Sequence, residues 1–322
     1  MHAIKELLGP DNAAGIDRLE ALGEPEFPIE LPSDLALALH DLAVPHEDID
    51  ALLALAPTTP ELRWLMQRCA YSLIARMGEV EQPPAFPVLP ESAGLIHRYF
   101  YVYVFVGVLP HVREFHRQRG IPDEVSRSTL RDLGRNMAVY RQRHGIGGLE
   151  VVPWLTRHFR GALYDLGRLQ FERTRLGTRT GNAVRAAGLP YGPGDPSLGA
   201  HIPEFSGPLH PRACDAAFAR AGEFFAQYFP EERYAVATCN SWLLDEQLAE
   251  YLPDNSNIIQ FQRRFRSAYR PADADADAML FVFGRPDAPL DQLPRETRLQ
   301  RAIIDHQKAG RHWHGGTGWL EL

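Results

Sequence analysis

The stretch from Ser197 to Phe261 constrains the fold most, because strand, turn and helix signals follow one another there without a gap. Ser197–Pro203 is a short, mostly apolar run that stops at a proline, which has no N–H to give to a sheet ladder. Residues 204–210, EFSGPLH, carry Gly207 and Pro208, the punctuation of a turn. Pro211 suits the first turn of a helix, where its missing N–H has no partner to lose. From there to Tyr228, the residues Ala216, Phe218, Ala221, Phe224, Phe225 and Tyr228 form an apolar stripe at helical spacing. A strand over Tyr234–Cys239, a short helix over Asp245–Leu252 and a third strand opening at Ile258–Phe261 complete the unit.

A strand that turns tightly into a helix is a ready anion site. The first helical N–H groups lack an internal partner and carry the positive end of the dipole, so a pyrophosphate fits there. The same unit also occurs as a plain packing turn, and the rest of the chain has to decide between the two.

At 322 residues and 45% apolar content, the chain is long enough for two domains with real cores. A net charge of −7 offers no basic excess to neutralise phosphates, which argues against a general nucleic-acid binder. Cys69, Cys214 and Cys239 are widely spaced and odd in number, so they imply neither a disulfide framework nor a metal-type pair, and a cytoplasmic setting suits them. The longest apolar run, Tyr99–Leu109, falls well short of the roughly 20 residues that span a bilayer. No membrane partner is expected.

The first half reads as helical. Pieces over Ala3–Leu8, Asp17–Leu22, Leu35–Leu42 and Glu47–Leu55 are amphipathic. Thr59 caps a stronger helix with Pro60 at its first position and Gly78 at its end. The proline-rich GEVEQPPAFPVLP reads as an extended arm. Ser92–Gln118 reads as one long helix kinked at Pro110, although its middle, HRYFYVYVFVGVL, also suits a buried strand. Its aromatic cluster is better placed in a core than around a ligand. Pro122–His144 is a last helix, closed by Gly145, Gly147 and Gly148. The boundary between domains 1–145 and 146–322 is expected at that point.

The second half alternates. Leu149–Val152 is a strand candidate, and Leu169 and Phe171 alternate with Arg168, Gln170 and Glu172 in a half-buried strand. Residues 175–194 are polar and glycine-rich and read as a loop. ADADADA reads as an acidic turn, AMLFVF (278–283) as a strand, and TRLQRAIIDHQKAG as a helix stopped by Gly310. His312 and His314 have the look of a metal pair, but two histidines do not make a site, and none is assigned. The expected class is therefore α+β: an all-helical domain, then a mixed, mostly antiparallel sheet flanked by helices.

The segments WLTRHFRGALYDLGRLQFE, LGAHIPEFSGPL, CNSWLLDEQLAEYLPDNSNIIQF and LQRAIIDHQKAG together resemble the bacterial GNAT-like acyltransferase-domain proteins, in which a helical N-terminal domain precedes a GNAT-fold C-terminal domain. The resemblance implies a splayed sheet that binds acyl-coenzyme A as co-substrate, acetyl-CoA first among the candidates, with an amine on a small molecule or peptide as acceptor. Pantetheine would lie beside the strand Leu198–Pro203, which ends in Ile202 and Pro203. The pyrophosphate would meet Glu204, Phe205, Ser206, Gly207, Leu209 and His210, and Asn240 and Ser241 would touch the donor. The turn departs from the family pattern: only Gly207 matches, Pro208 removes a donor, no arginine is present and Glu204 adds a negative charge. A non-catalytic binding protein on the same scaffold is the alternative.

Acyl transfer to an amine needs a base, an oxyanion donor and an acid for the thiolate. His201, Glu172 and Glu204 are the base candidates, since His201 has a suitable ordinary pKa and lies on the cleft strand. Tyr251, in a segment that resembles the tyrosine-bearing GNAT helix, is the candidate acid. Cys239 is expected to be an inert core thiol, and a Cys239–His201 hydrolase lacks a residue to orient the histidine.

Overall fold

The computed structural model describes residues 2–81, 85–269 and 273–322. Part of the proline-rich arm, residues 82–84, therefore lies outside the described residues. The chain divides into two compact units, residues 1–164 and 165–322.

The first unit is helical: α1 (His2–Leu8), α2 (Ala13–Ala21), α3 (Leu35–Asp41), α4 (His46–Ala54), α5 (Pro60–Ile74), α6 (Ile96–Gln118), α7 (Asp123–Leu130), α8 (Asp132–His144) and α9 (Val152–Phe159). Helix α6 is its axis. Every residue from Tyr99 to Val108 is buried, which is how a helix apolar on all sides must sit. Its tyrosines satisfy their hydroxyls internally: Tyr99 donates to Asp48 (2.7 Å) and Tyr103 to the Leu52 carbonyl (2.6 Å). The strand alternative for this run is thereby settled as helix, and Pro110 sits inside it on the exposed side. Thr59 caps α5 by accepting from the Leu62 N–H, worth about 1 kcal/mol. The single helix expected over 122–144 is two, with Arg131 at the joint. There the α8 backbone presses on the α3–α4 turn: Gly134 N–H donates to the Leu42 carbonyl, and a Cβ at Gly134 would lie 2.0 Å from the Ala43 oxygen. No strand forms at Leu149–Val152, because Leu155 and Phe159 of the helix that follows are buried in the helical core.

Strand β1 (Leu163–Asp165) straddles the boundary, and the second unit contains β2 (Gln170–Arg175), α10 (Thr178–Ala186), β3 (Pro196–His201), α11 (Pro211–Tyr228), β4 (Val236–Ser241), α12 (Asn257–Gln262), β5 (Arg266–Tyr269), α13 (Asp275–Phe283), α14 (Arg298–Lys308) and β6 (Gly316–Glu321). Among the described residues the sheet order is β1-β2-β3-β4-β6-β5. The pairs β2–β3, β4–β6 and β5–β6 are antiparallel and β3–β4 is parallel, so the class expected from sequence, a mixed and mostly antiparallel sheet with flanking helices, is the one observed. Helix α11 covers one face, with Phe218 edge-on to Phe171 of β2 at 5.4 Å.

Several local expectations fail, each for a visible reason. Ile258–Phe261 is helical because Ser256 caps α12, its hydroxyl accepting from the Ile259 N–H. Residues 278–283 belong to α13: Asp273 accepts from the Asp275 N–H at the start, and Gly284 ends the helix in the left-handed region at φ 67°. The loop expected over 175–194 holds α10, and the glycine-rich tail supplies β6. That strand is hydrogen-bonded on both sides, and glycine is required in it because a Cβ at Gly316 or Gly318 would meet Leu244 Cβ at 2.5 Å or Phe265 Cβ at 2.7 Å.

Candidate active site

The site is built by the register of β2 against β3. Gln170 lies opposite His201, Phe171 opposite Ala200 and Glu172 opposite Gly199. Side chains alternate across a sheet, so Glu172 and His201 are diagonal neighbours on one face, while Phe171 and Ala200 turn toward α11 on the other. His201 Nε2 lies 2.9 Å from Glu172 Oε2. The imidazole side chain is 32% exposed and the carboxylate 19%, so the pair is sheltered yet within reach of a solute. A carboxylate accepts only, which makes Nε2 the protonated nitrogen and puts the lone pair on Nδ1. Gly199 gives this pair its space: a Cβ there would stand 3.3 Å from His201 Nε2 and 3.6 Å from Glu172 Cβ.

The second feature is a parting of the sheet. The parallel ladder between β3 and β4 consists of Leu198 with Ala237 and Gly199 with Thr238. Strand β3 runs on to His201 and β4 to Ser241, but the two no longer pair, and β4 stays bonded to β6 along its whole length. Ile202 and Pro203 then leave the sheet. The opening thus has His201 on one lip and Asn240, which is exposed, on the other. Ser241 is committed locally, its hydroxyl accepting from the Leu243 N–H at 3.1 Å.

Residues 202–210 connect the parted strand to α11. Pro211 opens that helix as expected, with His210 at its N-cap and no side-chain cap bond. Gly207 takes φ 76°, which only glycine adopts at no cost, and Phe205 is 38% exposed. Ser206 is half-buried, Glu204 exposed and Leu209 buried. A residue the sequence did not point to holds this connection. Arg168 donates from Nε to the Pro208 carbonyl (3.1 Å) and, at a longer 3.5 Å, from its terminal nitrogen to the Pro203 carbonyl.

Tyr251 is placed differently. It packs against the apolar cluster that starts at Trp242, just past β4. Its hydroxyl lies 3.0 Å from His306 Nδ1, and His306 Nε2 lies 3.2 Å from the His312 carbonyl. A carbonyl only accepts, so His306 donates from Nε2 and its Nδ1 receives the Tyr251 proton. The phenol proton is therefore directed at a buried histidine that also stacks on Trp313 at 3.9 Å. Cys239 is buried on β4, and burial pushes its thiol up to about 12, which removes it as a nucleophile at neutral pH.

The histidines near the C-terminus separate. His314 lies 3.1 Å from Gln247 Nε2, whereas His312 Nδ1 lies 2.7 Å from Asp275, with Asp273 close by. Asp275 also accepts from the Trp313 N–H at 2.8 Å, so hydrogen bonds within the protein account for its two oxygens. The carboxylate raises the His312 pKa, as an ion pair does.

Comparison with known proteins identifies the family. Residues 33–161 match the N-acyltransferase N-terminal domain and residues 163–320 the GNAT-like C-terminal domain. Solved structures align over the full chain. One is an acyltransferase in complex with decanoyl-CoA and teicoplanin, 41% identical, with a TM-score of 0.90 over 100% of this chain and 99% of that one. An acyltransferase mutant in complex with octanoyl-CoA is 40% identical, with a TM-score of 0.89 over the same shares. A third, in complex with decanoyl-CoA, is 38% identical at a TM-score of 0.90, again over 100% and 99%. No curated protein matches the chain. The chain belongs to the GNAT-like acyltransferases and is an enzyme of that family, as the resemblance in its sequence implied. No helix among the described residues is long and apolar enough to cross a membrane.

Proposed function

We propose that this enzyme moves a medium-chain acyl group from a coenzyme A thioester to an amine on a small-molecule acceptor, by direct attack. One observation carries the reading: β3 and β4 stop pairing after Gly199 and Thr238, immediately beside the His201–Glu172 pair. Strand edges that no longer face each other can offer backbone donors and acceptors to a pantetheine amide chain. The solved relatives support the donor class, since they hold octanoyl- and decanoyl-CoA, and teicoplanin beside one of them supports a small-molecule acceptor. The sequence reading put acetyl-CoA first. The longer chains in the relatives favour a medium one.

In this scheme the amine attacks the thioester carbonyl carbon, the C–N bond forms and the C–S bond breaks. His201 takes the proton from the attacking nitrogen through Nδ1. Glu172 holds the ring and stabilises the imidazolium that results. Amides at the opening receive the oxyanion. The departing thiolate takes that proton back from the His201 imidazolium and leaves as free coenzyme A. Three buried cysteines without disulfides fit a reducing cytoplasm, where we place the enzyme.

The test is release of free thiol from acetyl-, octanoyl- and decanoyl-CoA in the presence of a teicoplanin-type acceptor bearing a free amine. Octanoyl- or decanoyl-CoA should be the better donor, and His201→Ala should lower kcat by about 10²–10⁴, the usual worth of a positioned base. Acceptor-independent thiol release, or full turnover in His201→Ala, contradicts the proposal.

A further inference from the structure

The connection between β3 and α11 poses a problem for a phosphate site. Two of its residues, Pro203 and Pro208, have no N–H, no arginine lies within it, and Glu204 brings a negative charge. The fold supplies what the segment lacks from another part of the same unit. Leu166–Leu169 form a tight turn, with the Leu166 N–H donating to the Leu169 carbonyl at 3.1 Å and Asp165 accepting from the Gly167 N–H at 3.1 Å. Gly167 has φ 113°, a conformation that ties this position to glycine. The turn presents Arg168, whose guanidinium reaches the Pro208 and Pro203 carbonyls.

The direction of those bonds matters. A trans peptide is planar, with its C=O and N–H pointing opposite ways, and no cis peptide occurs among the described residues. Drawing the Pro203 carbonyl toward Arg168 turns the N–H of Glu204 away from it. Drawing the Pro208 carbonyl in does the same for the N–H of Leu209. The guanidinium thus helps to fix the peptide plane after each proline, at Pro208 together with the His210 N–H, which donates to the same carbonyl at 2.7 Å. Its charge also persists, because its two partners are neutral carbonyls. Arg264, by contrast, spends its charge on Asp215 at 2.6 Å while donating to the Pro211 carbonyl at 3.0 Å. Cys214 in the first turn of α11 feels both guanidiniums, which act against the rise that burial gives its thiol pKa.

We propose that Arg168 is a positioning residue for the diphosphate of coenzyme A: it bridges the two proline carbonyls, fixes the peptide planes of the connection that meets the phosphates, and adds a positive charge beside them. The role rests on the acyl-CoA reading above and assigns a function to a residue outside the turn itself. It supplies the positive charge that a regular GNAT turn would carry as an arginine.

The experiment measures Kd by calorimetry for octanoyl-CoA and for S-octanoylpantetheine, which lacks the diphosphate, in wild type, Arg168→Ala and Arg168→Lys. Wild type should bind the coenzyme A form far more tightly. Arg168→Ala should lose about tenfold on octanoyl-CoA, the scale of one or two misdirected charge-assisted hydrogen bonds, and less than about twofold on the pantetheine thioester. Arg168→Lys keeps the charge but cannot span two carbonyls, so its loss should be intermediate. Equal losses on both ligands, or none, overturn the proposal. If neither variant folds, Arg168 is structural and the proposal is likewise overturned. Wild type that binds both ligands equally removes the phosphate site but leaves acyl-CoA use standing. Wild type that binds neither refutes the acyl-CoA reading itself.

Discussion

Gly199→Ala separates the fold of β3 from the chemistry it supports. Gly199 is not among the glycines with positive φ, so alanine fits its backbone, and the lost freedom of the unfolded chain favours alanine by about 0.4–1 kcal/mol. Its ladder bonds to Glu172 and Thr238 use main-chain groups and survive. The new methyl would stand 3.3 Å from His201 Nε2, 3.6 Å from Glu172 Cβ and 3.7 Å from Thr174 Cγ2. Comfortable contact lies near 3.5–4.0 Å, so the imidazole must retreat by about 0.3 Å or rotate. Its 2.9 Å bond to Glu172 then lengthens or bends, at a cost of about 0.5–1 kcal/mol that roughly cancels the gain from alanine. Melting temperature should shift by no more than about 2–3 °C. Turnover should suffer more, because a displaced base forfeits part of its usual 10²–10⁴: we expect kcat to fall about tenfold, with the Kd for octanoyl-CoA within about twofold of wild type. Stopped-assay kinetics with a thermal melt on the same preparation decides the matter. A kcat within twofold of wild type, with an unchanged melt, would refute the claim that the gap at Gly199 sets the position of His201.

Other expectations follow from the same geometry. Tyr251→Phe leaves His306 Nδ1 without its donor and should lower stability by about 1–2 kcal/mol in a denaturant melt, with kcat reduced less than about tenfold. A hundredfold loss of turnover would instead make the phenol the acid for the leaving thiolate. In the helical unit, burial lowers the His116 pKa to about 4, with its Nδ1 2.8 Å from Ser126 Oγ. The unfolded chain takes up this proton near 6.5 and the folded chain only near 4, so stability present above pH 6.5 declines as pH falls through that window, by at most about 3 kcal/mol. Unfolding midpoints from pH 7.5 to 4.5 should show this decline, and His116→Gln should flatten it.

Much of the frame was legible in the chain itself. Proline at the first turn of α11, the apolar stripe behind it and the capped helix at Thr59 are local signals, and each element formed where those signals lay. Short apolar runs were the failures. IIQF and AMLFVF have the composition of strands, and what marks them as helices lies at their ends: the Ser256 cap for one, the Asp273 turn bond and the left-handed Gly284 for the other. Strand β6 was invisible because its glycines carry no alternation, and their purpose appears only against Leu244 and Phe265. His201 and Glu172 were legible singly. Their pairing across 29 residues depends on register, which no local pattern encodes. Arg168 read only as a polar position in an alternating strand, and Gly199 had no signal of its own: one acts on carbonyls 35 and 40 residues further along, the other by having no side chain.

The account centres on the opening between β3 and β4, and a crystal structure with octanoyl-CoA bound tests it most directly. The pantetheine chain should lie between Ala200–Ile202 and Asn240, with the thioester carbonyl beside the His201 imidazole and the diphosphate against residues 204–209. A thioester bound elsewhere, or strands β3 and β4 hydrogen-bonded to each other along their full length, would contradict it.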